Sequence, residues 1–223
     1  CAQMPCTVWN LPGASVVSRS SAALPGYILK SSRSANIVVN SVTIGTVYDR
    51  VYCLGTGTTC NATNTYTLAM RTNLNTAVWK PGVTQSFEIN NFFRAIKSTV
   101  AVADVGYYMG TVGGAVPDHA RAGKYMEYAG RTFKGLNQIV PPGNVAADRN
   151  NAWMMFWQDS NANDPERCEP HSLNSAWSPW FYVRQTCATG YNTTAQNFKL
   201  KFWQGGEEGQ LQQNIQTSGY ICN

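Results

Sequence analysis

Charge is what this sequence has least of. Asp, Glu, Lys and Arg make up 13% of its 223 residues, about half the roughly 25% of an ordinary soluble domain. The net charge is +5, yet the cations are scattered, and the densest basic spot is only Lys199-Leu200-Lys201. A nucleic-acid footprint needs several cations converging on one face, so no nucleic-acid partner is expected. Histidine is nearly missing as well. His119 and His171 are the only two, neither has a helical i, i+4 partner, and each reads as a surface-loop residue. A His-based metal site or triad has little to draw on, Gly-x-Ser-x-Gly is absent, and no metal or other cofactor is expected. No Cys-x-x-Cys occurs, which argues against a thiol redox enzyme. No apolar run approaches the roughly 18 residues that a membrane-spanning helix needs.

Cysteine and aromatic residues fill the picture instead. Seven cysteines at spacings unlike any metal site read as a disulfide framework in an exported chain, with six paired and one left over. The simplest origin is a mature chain whose leader was removed before Cys1; the lipid-bearing Cys of a bacterial lipoprotein is the alternative reading of that residue. Cys53 and Cys60 flank a Gly-rich turn, so a hairpin bridge is expected there. Cys168 and Cys187 flank a segment with Pro170, Pro179 and the aromatic run 177–182, so a bridge pinning a long surface loop is expected. Cys6 or Cys1 with Cys222 would tie the ends together. Six cysteines allow 15 pairings, so local pairing is a preference among them.

The periodicity is that of strands. Residues 36–53 are rich in β-branched and aromatic residues and largely alternate apolar with polar, and 65–71 repeat the pattern. Trp79-Lys80-Pro81-Gly82 reads as a turn. Residues 87–102 are ambiguous, with Phe92, Phe93 and Ile96 suiting a helical face. Residues 104–116 and 153–157 read as strands. In 197–204, Phe198, Leu200 and Phe202 alternate as one apolar side. The best short helix is 120–128, between Pro117 and Gly130. Short strands, frequent Gly and Thr-rich stretches give the expected fold: an all-β, antiparallel sandwich or jelly-roll-like domain with at most one or two short helices, stapled by disulfides and spanning 1–223 as one unit.

Two constellations bear on chemistry. The first is a set of carboxylates. A glycosidase needs two facing each other across about 5–9.5 Å, and Glu88, Glu127 and Asp159 lie on or beside strand-like segments. Glu207-Glu208 sits between glycines and reads as an exposed turn. The second is aromatic crowding beside short oxygen-bearing side chains. Trp153, Phe156 and Trp157 precede Asp159-Ser160-Asn161-Ala162-Asn163-Asp164, and Trp177-Ser178-Pro179-Trp180-Phe181-Tyr182 follows. The Asp159–Asp164 run has oxygens at alternate positions, as a calcium loop begins. Asp164 stands where Gly is needed, however, and Pro170 where the closing Glu would be, so an Asx-rich turn is the better reading. A flat ring beside Asp or Asn is a natural saccharide platform, and aromatics also dominate protein-binding hot spots. The candidate ligand-binding set is therefore Trp177, Trp180, Tyr182, Asp159, Asn161, Asn163 and Asp164. If Trp180 or Tyr182 turns inward, Trp177 alone remains.

Cys1, the Cys53–Cys60 hairpin, the strand-rich 36–116 region, the neutral aromatic-rich composition and the Trp-containing late loop together resemble the receptor-binding N-terminal domain of a two-domain tip adhesin from bacterial chaperone–usher pili. The resemblance implies an elongated, disulfide-stapled β-sandwich that binds a host glycan or matrix protein without catalysis. It also implies export through the periplasm with a chaperone, display at the pilus tip, and a pilin domain following Asn223 that joins the other pilus subunits. The binding residues above rest on side-chain chemistry and not on a family motif. A structural or capsid-like surface protein and a secreted jelly-roll glycan hydrolase remain the alternatives.

Overall fold

The computed structural model describes residues 26–83, 86–97, 102–108, 128–133, 149–160, 162, 177–178, 180–204 and 212–223. Its strands are β1 (Tyr27–Val39), β2 (Val42–Thr56), β3 (Thr59–Cys60), β4 (Thr65–Leu74), β5 (Ile89–Ala95), β6 (Val102–Tyr108), β7 (Tyr128–Phe133), β8 (Arg149–Ser160), β9 (Trp180–Thr186), β10 (Gln196–Gln204) and β11 (Gln213–Gly219). No helix occurs among the described residues. The short helix expected at 120–128 lies outside them, apart from Tyr128, which opens β7.

These strands form two antiparallel sheets. The first has the order β1-β2-β4-β9-β6 with β3 paired to β2, and the second has the order β11-β10-β5-β8-β7. The chain enters by a long hairpin. β1 and β2 are joined by Asn40 and Ser41 at φ 48° and 66°, the paired left-handed geometry that matches strand twist in a two-residue hairpin turn. The stretch 36–53, which alternates like continuous strand, therefore folds back on itself at Asn-Ser. The ambiguous 87–102 resolves into β5, buried along its whole length, and the start of β6.

The main core lies between the sheets. Ile37, Ile44, Val47, Met70, Phe181 and Val183 come from the first sheet, and Phe92, Met154, Phe156, Leu200 and Phe202 come from the second. Phe92 packs at a tilt against Phe181 with ring centroids 4.7 Å apart, and Phe156 against Phe181 at 4.8 Å. Rings at these separations add attraction beyond the area they bury. Phe198 does not join Leu200 and Phe202 as the alternation suggested. The β10 register slips between Gln196 and Leu200, Phe198 takes φ 56°, and its side chain is 63% exposed. A bulge has re-aimed it.

A buried polar contact crosses this apolar layer. Arg94 of β5 and Asp49 of β2, both fully buried, form an ion pair between the sheets. Arg94 Nη1 also donates to the Tyr220 carbonyl at 3.0 Å and Nη2 to the Ala69 carbonyl at 3.1 Å. The Tyr220 amide donates to Asp49 Oδ2 at 2.7 Å. Burial pushes the Asp49 carboxyl above its usual range, although Arg94 and the Tyr220 amide oppose the rise. The pair joins both sheets to the C-terminal segment.

That segment explains the disulfides. Cys53–Cys60 closes the β2–β3 hairpin as its spacing suggested. Cys187, however, is bonded to Cys222, which corrects both the Cys168–Cys187 loop bridge and the Cys6–Cys222 (or Cys1–Cys222) end-to-end bridge. The physical reason is strand pairing of distant segments. Tyr191 pairs with Cys222, Asn192 N donates to Ile221 O, and Asn223 N to Gly190 O. These bonds lay the tail beside the turn after β9 and bring the Cys187 and Cys222 Cα atoms to 5.1 Å. Cys1, Cys6 and Cys168 lie outside the described residues.

Two outcomes follow. Arg94→Met or Asp49→Asn alone should cost about 3–5 kcal/mol, because each strands a buried partner. Asp49→Asn combined with Arg94→Met should cost clearly less than the two singles summed, as read by denaturant unfolding; strict additivity would contradict a paired role. Non-reducing peptide mapping should recover Cys53 linked to Cys60 and Cys187 linked to Cys222. A Cys168–Cys187 peptide would contradict this topology.

Candidate functional site on the outer face of the first sheet

The aromatic run 177–182 is not a surface loop. From Trp180 onward it is β9, hydrogen-bonded between β4 and β6. Side chains alternate along a strand, so Phe181 and Val183 enter the main core. Trp180, Tyr182 and Arg184 fall on the opposite, outward face. Strand register brings more residues to that face. Tyr48 stands opposite Arg71, Arg50 opposite Ala69, and Tyr52 opposite Thr67. Ala69 in turn stands opposite Tyr182, and Thr67 opposite Arg184.

Rings and guanidinium groups interleave across these strands. Tyr48 packs on Trp177 with centroids 5.2 Å apart. Arg71 Cζ lies 4.4 Å from the Trp177 centroid and 6.0 Å from that of Trp180, and Arg50 Cζ lies 4.5 Å from the Trp180 centroid. Arg50 Nη1 then donates to Tyr52 Oη at 3.2 Å. Burial raises the Tyr52 hydroxyl above its ordinary value of 10.0, with Arg50 opposing the rise, so it stays protonated near neutral pH and accepts from Arg50. Arg50 must cross β4 at Ala69 to reach Trp180, and the bare methyl there leaves it room. Each cation–ring contact contributes about 0.5–2 kcal/mol according to how far it is desolvated.

The short segment before β9 is latched in place. Trp177 bridges to Asn73, and Ser178 N donates to Thr72 O at 3.0 Å. Ser178 Oγ accepts from Thr72 N at 2.9 Å, and Ser178 O accepts from Arg71 Nε at 2.8 Å. Four contacts therefore hold Trp177 against β4, and no disulfide of its own is needed.

The candidate residues fall into three groups. Trp180 and Tyr182 are 3% and 0% exposed, so they support the face from within and offer a ligand no surface. Trp177 is only partly buried and remains accessible. Asp159 is the penultimate residue of β8 in the second sheet, and Asn161, Asn163 and Asp164 lie outside the described residues. The end of β8 and Trp177 do share one end of the sandwich. Ala162 N donates to Ser86 Oγ in the connection that leads from β4 to β5, and Ser178 pairs with Thr72 close to the end of β4. Of the other carboxylates, Glu88 is buried just before β5 and Glu127 lies outside the described residues. Among the described residues no three His, Cys, Asp or Glu side chains converge as a metal site requires.

Sequence reading missed Tyr48, Arg50, Tyr52 and Arg71. A signal for three of them exists in Tyr48-Asp49-Arg50-Val51-Tyr52, where period two puts two rings and a guanidinium on one face. Arg71→Ala should lower stability by about 2–3 kcal/mol, since it removes the ring contacts and the Ser178 hydrogen bond together. Arg71→Lys should recover little of this, because an ammonium lacks the planar fork. Denaturant unfolding followed by tryptophan fluorescence measures both, and a Lys variant as stable as the parent would contradict the geometry. No protein family, curated protein or solved structure matches this chain.

Proposed function

We propose that this chain is an extracellular, non-catalytic adhesin domain that binds a host glycan or matrix protein through the Trp177 end of the first sheet. The pilus-tip setting belongs to the same proposal: export through the periplasm, chaperone-assisted assembly, and a pilin domain linking it to the other subunits. The observation that carries the reading is Trp177 itself. It is an accessible tryptophan whose backbone is pinned by Asn73 and whose ring rests on Tyr48 and Arg71. A ring held this way loses little freedom when a ligand binds, so more of its contact energy appears as affinity. Two antiparallel sheets closed by Cys53–Cys60 and Cys187–Cys222 suit a domain that works in an oxidising compartment.

A glycan and matrix-protein array probed with the intact chain identifies the ligand class. Trp177→Ala should then weaken binding to the hit by at least ~2 kcal/mol, roughly thirtyfold, as for an aromatic hot spot. The same change should also cost about 1–2 kcal/mol of folding stability, because the Tyr48 and Arg71 contacts go with the ring. Affinity must therefore be measured well below the melting range. Unchanged affinity in a folded Trp177→Ala protein removes this surface as the site.

A further inference from the structure

We infer that the β1–β2 margin of the outward face of the first sheet, where Ser32 and Ser34 are exposed and Tyr48 and Arg50 partly so, takes an acidic oligosaccharide, and that Arg50 reads its sulfate or carboxylate group. The inference rests on the adhesin reading above and adds the chemical class of ligand. The sequence scatters its cations, but the fold gathers some of them. Arg50 on β2, Arg71 on β4 and Arg184 on β9 all lie on this face. In the strand register Asp104 of β6 stands opposite Arg184. Asp49, the nearest carboxylate to Arg50 in sequence, points the other way and is committed to Arg94.

Arg50 is the group best suited to a ligand. It makes one hydrogen bond, to a neutral tyrosine hydroxyl, and its other contact is the Trp180 ring. Its Nε is buried without an acceptor and Nη1 bonds Tyr52, while the residue as a whole is partly exposed, so the terminal nitrogens are the donors left for a ligand. A guanidinium has five donors in a rigid plane that matches carboxylate or sulfate oxygens two at a time. Stacking on Trp180 and bonding to Tyr52 fix that plane before any ligand arrives.

A saccharide suits the surroundings better than other polyanions do. Ser32 stands opposite Arg50 and Ser34 opposite Tyr48 on β1, and both serines are exposed. Arg50 is thus bordered by hydroxyls on one side and by the rings of Tyr48 and Trp177 toward the other. Hydroxyls exchange hydrogen bonds with sugar hydroxyls, and rings accept the C–H faces of a pyranose. The arginines would add selectivity for the acidic member, with an attraction that weakens as salt screens it.

The test titrates the intact protein with a heparin-derived octasaccharide, its fully desulfated N-acetylated counterpart, a hyaluronan octasaccharide, an octaglutamate peptide and an oligothymidylate of matched charge. Binding of the heparin octasaccharide alone identifies sulfate as the group read; binding of hyaluronan as well identifies carboxylate. Arg50→Gln should weaken the acidic sugar roughly tenfold or more, the size of one lost charge-assisted hydrogen bond. Ser32→Glu should do the same by placing a carboxylate beside Arg50 from an exposed position, which keeps the test decisive if Arg50→Gln fails to fold. Acidic sugars that do not bind, or that bind equally well to both variants, overturn the inference. So does octaglutamate or oligothymidylate binding as tightly as the sugar. A Trp177-dependent hit on a neutral glycan or matrix protein, with no response to acidic sugars, sinks this inference and leaves the adhesin reading standing. Absence of any array ligand sinks both.

Discussion

The ion pair between Asp49 and Arg94 is the constraint around which the sandwich is arranged. It joins the second strand of one sheet to the middle strand of the other, and the main chain of Tyr220 and Ala69 meets most of its remaining hydrogen-bonding capacity, Arg94 Nε alone being buried without an acceptor. A charge at zero exposure is tolerable only with such a set of partners. Sheet spacing, the position of β5 against β2 and the path of the C-terminal segment must therefore all be right at once. The tail reaches Asp49 because Gly219, just before Tyr220, has no side chain. A Cβ there would meet the Leu200 side chain at 2.6 Å and Asp49 Oδ2 at 3.3 Å. The Cys187–Cys222 bridge then holds the tail where the pair needs it. In chain-entropy terms that bridge is worth about 4 kcal/mol for a loop of its size, comparable to the cost of stranding either ion.

This second layer of contacts shows in the outward faces of both sheets. In an ordinary sandwich one face of each sheet is polar. Here Tyr52, Trp180 and Tyr182 are buried on the outer side of the first sheet, and Phe93, Met155 and Trp203 form a separate buried cluster from the second. Lys201 lies over Phe93 at 4.0 Å and Trp153 at 5.3 Å, and burial lowers its ammonium below the usual 10.5. On both sheets a cation resting on rings lets a long side chain cover apolar surface while keeping its charged head.

That double-sided burial limits what could be read in advance. Strands whose sequence alternates were legible even where both faces are buried. Residues 65–71 alternate and became β4, and 53–60 carried its own turn and bridge. β9 was not legible, because Trp180, Phe181, Tyr182 and Val183 are all buried. A continuous aromatic run between prolines and cysteines carries no period to distinguish a central strand from a loop. β5 failed for the same reason. Phe92 and Phe93 look like one helical face but belong to two different clusters on opposite sides of a strand. The hairpin at Asn40-Ser41 lacked the glycine that usually marks such a turn. The Cys187–Cys222 bridge depends on antiparallel pairing between residues far apart in sequence, which spacing alone does not encode. Of the candidate site, Trp177 was legible and its supports were not, since Tyr48, Arg50 and Arg71 come from strands more than a hundred residues earlier in the chain.

β9 links these features. At its start, Ser178 and Trp177 are latched to β4 by three hydrogen bonds and a bridge; at its end, Cys187 is tied to the tail that caps the ion pair. Between them it presents core rings on one side and Trp180 with Tyr182 on the other. The accessible tryptophan is thus the visible end of a strand clamped at both ends. Its orientation is set by contacts that also stabilise the fold. Arg50 lies further from that coupling. It rests on Trp180 but bonds only to a tyrosine hydroxyl, and the main-chain pairing around it would persist without its side chain. A change at Trp177 must therefore alter stability and surface together. A change at Arg50 acts mainly on the charge the face presents, and this separation lets the recognition of a ligand be distinguished from the integrity of the sheet that carries it.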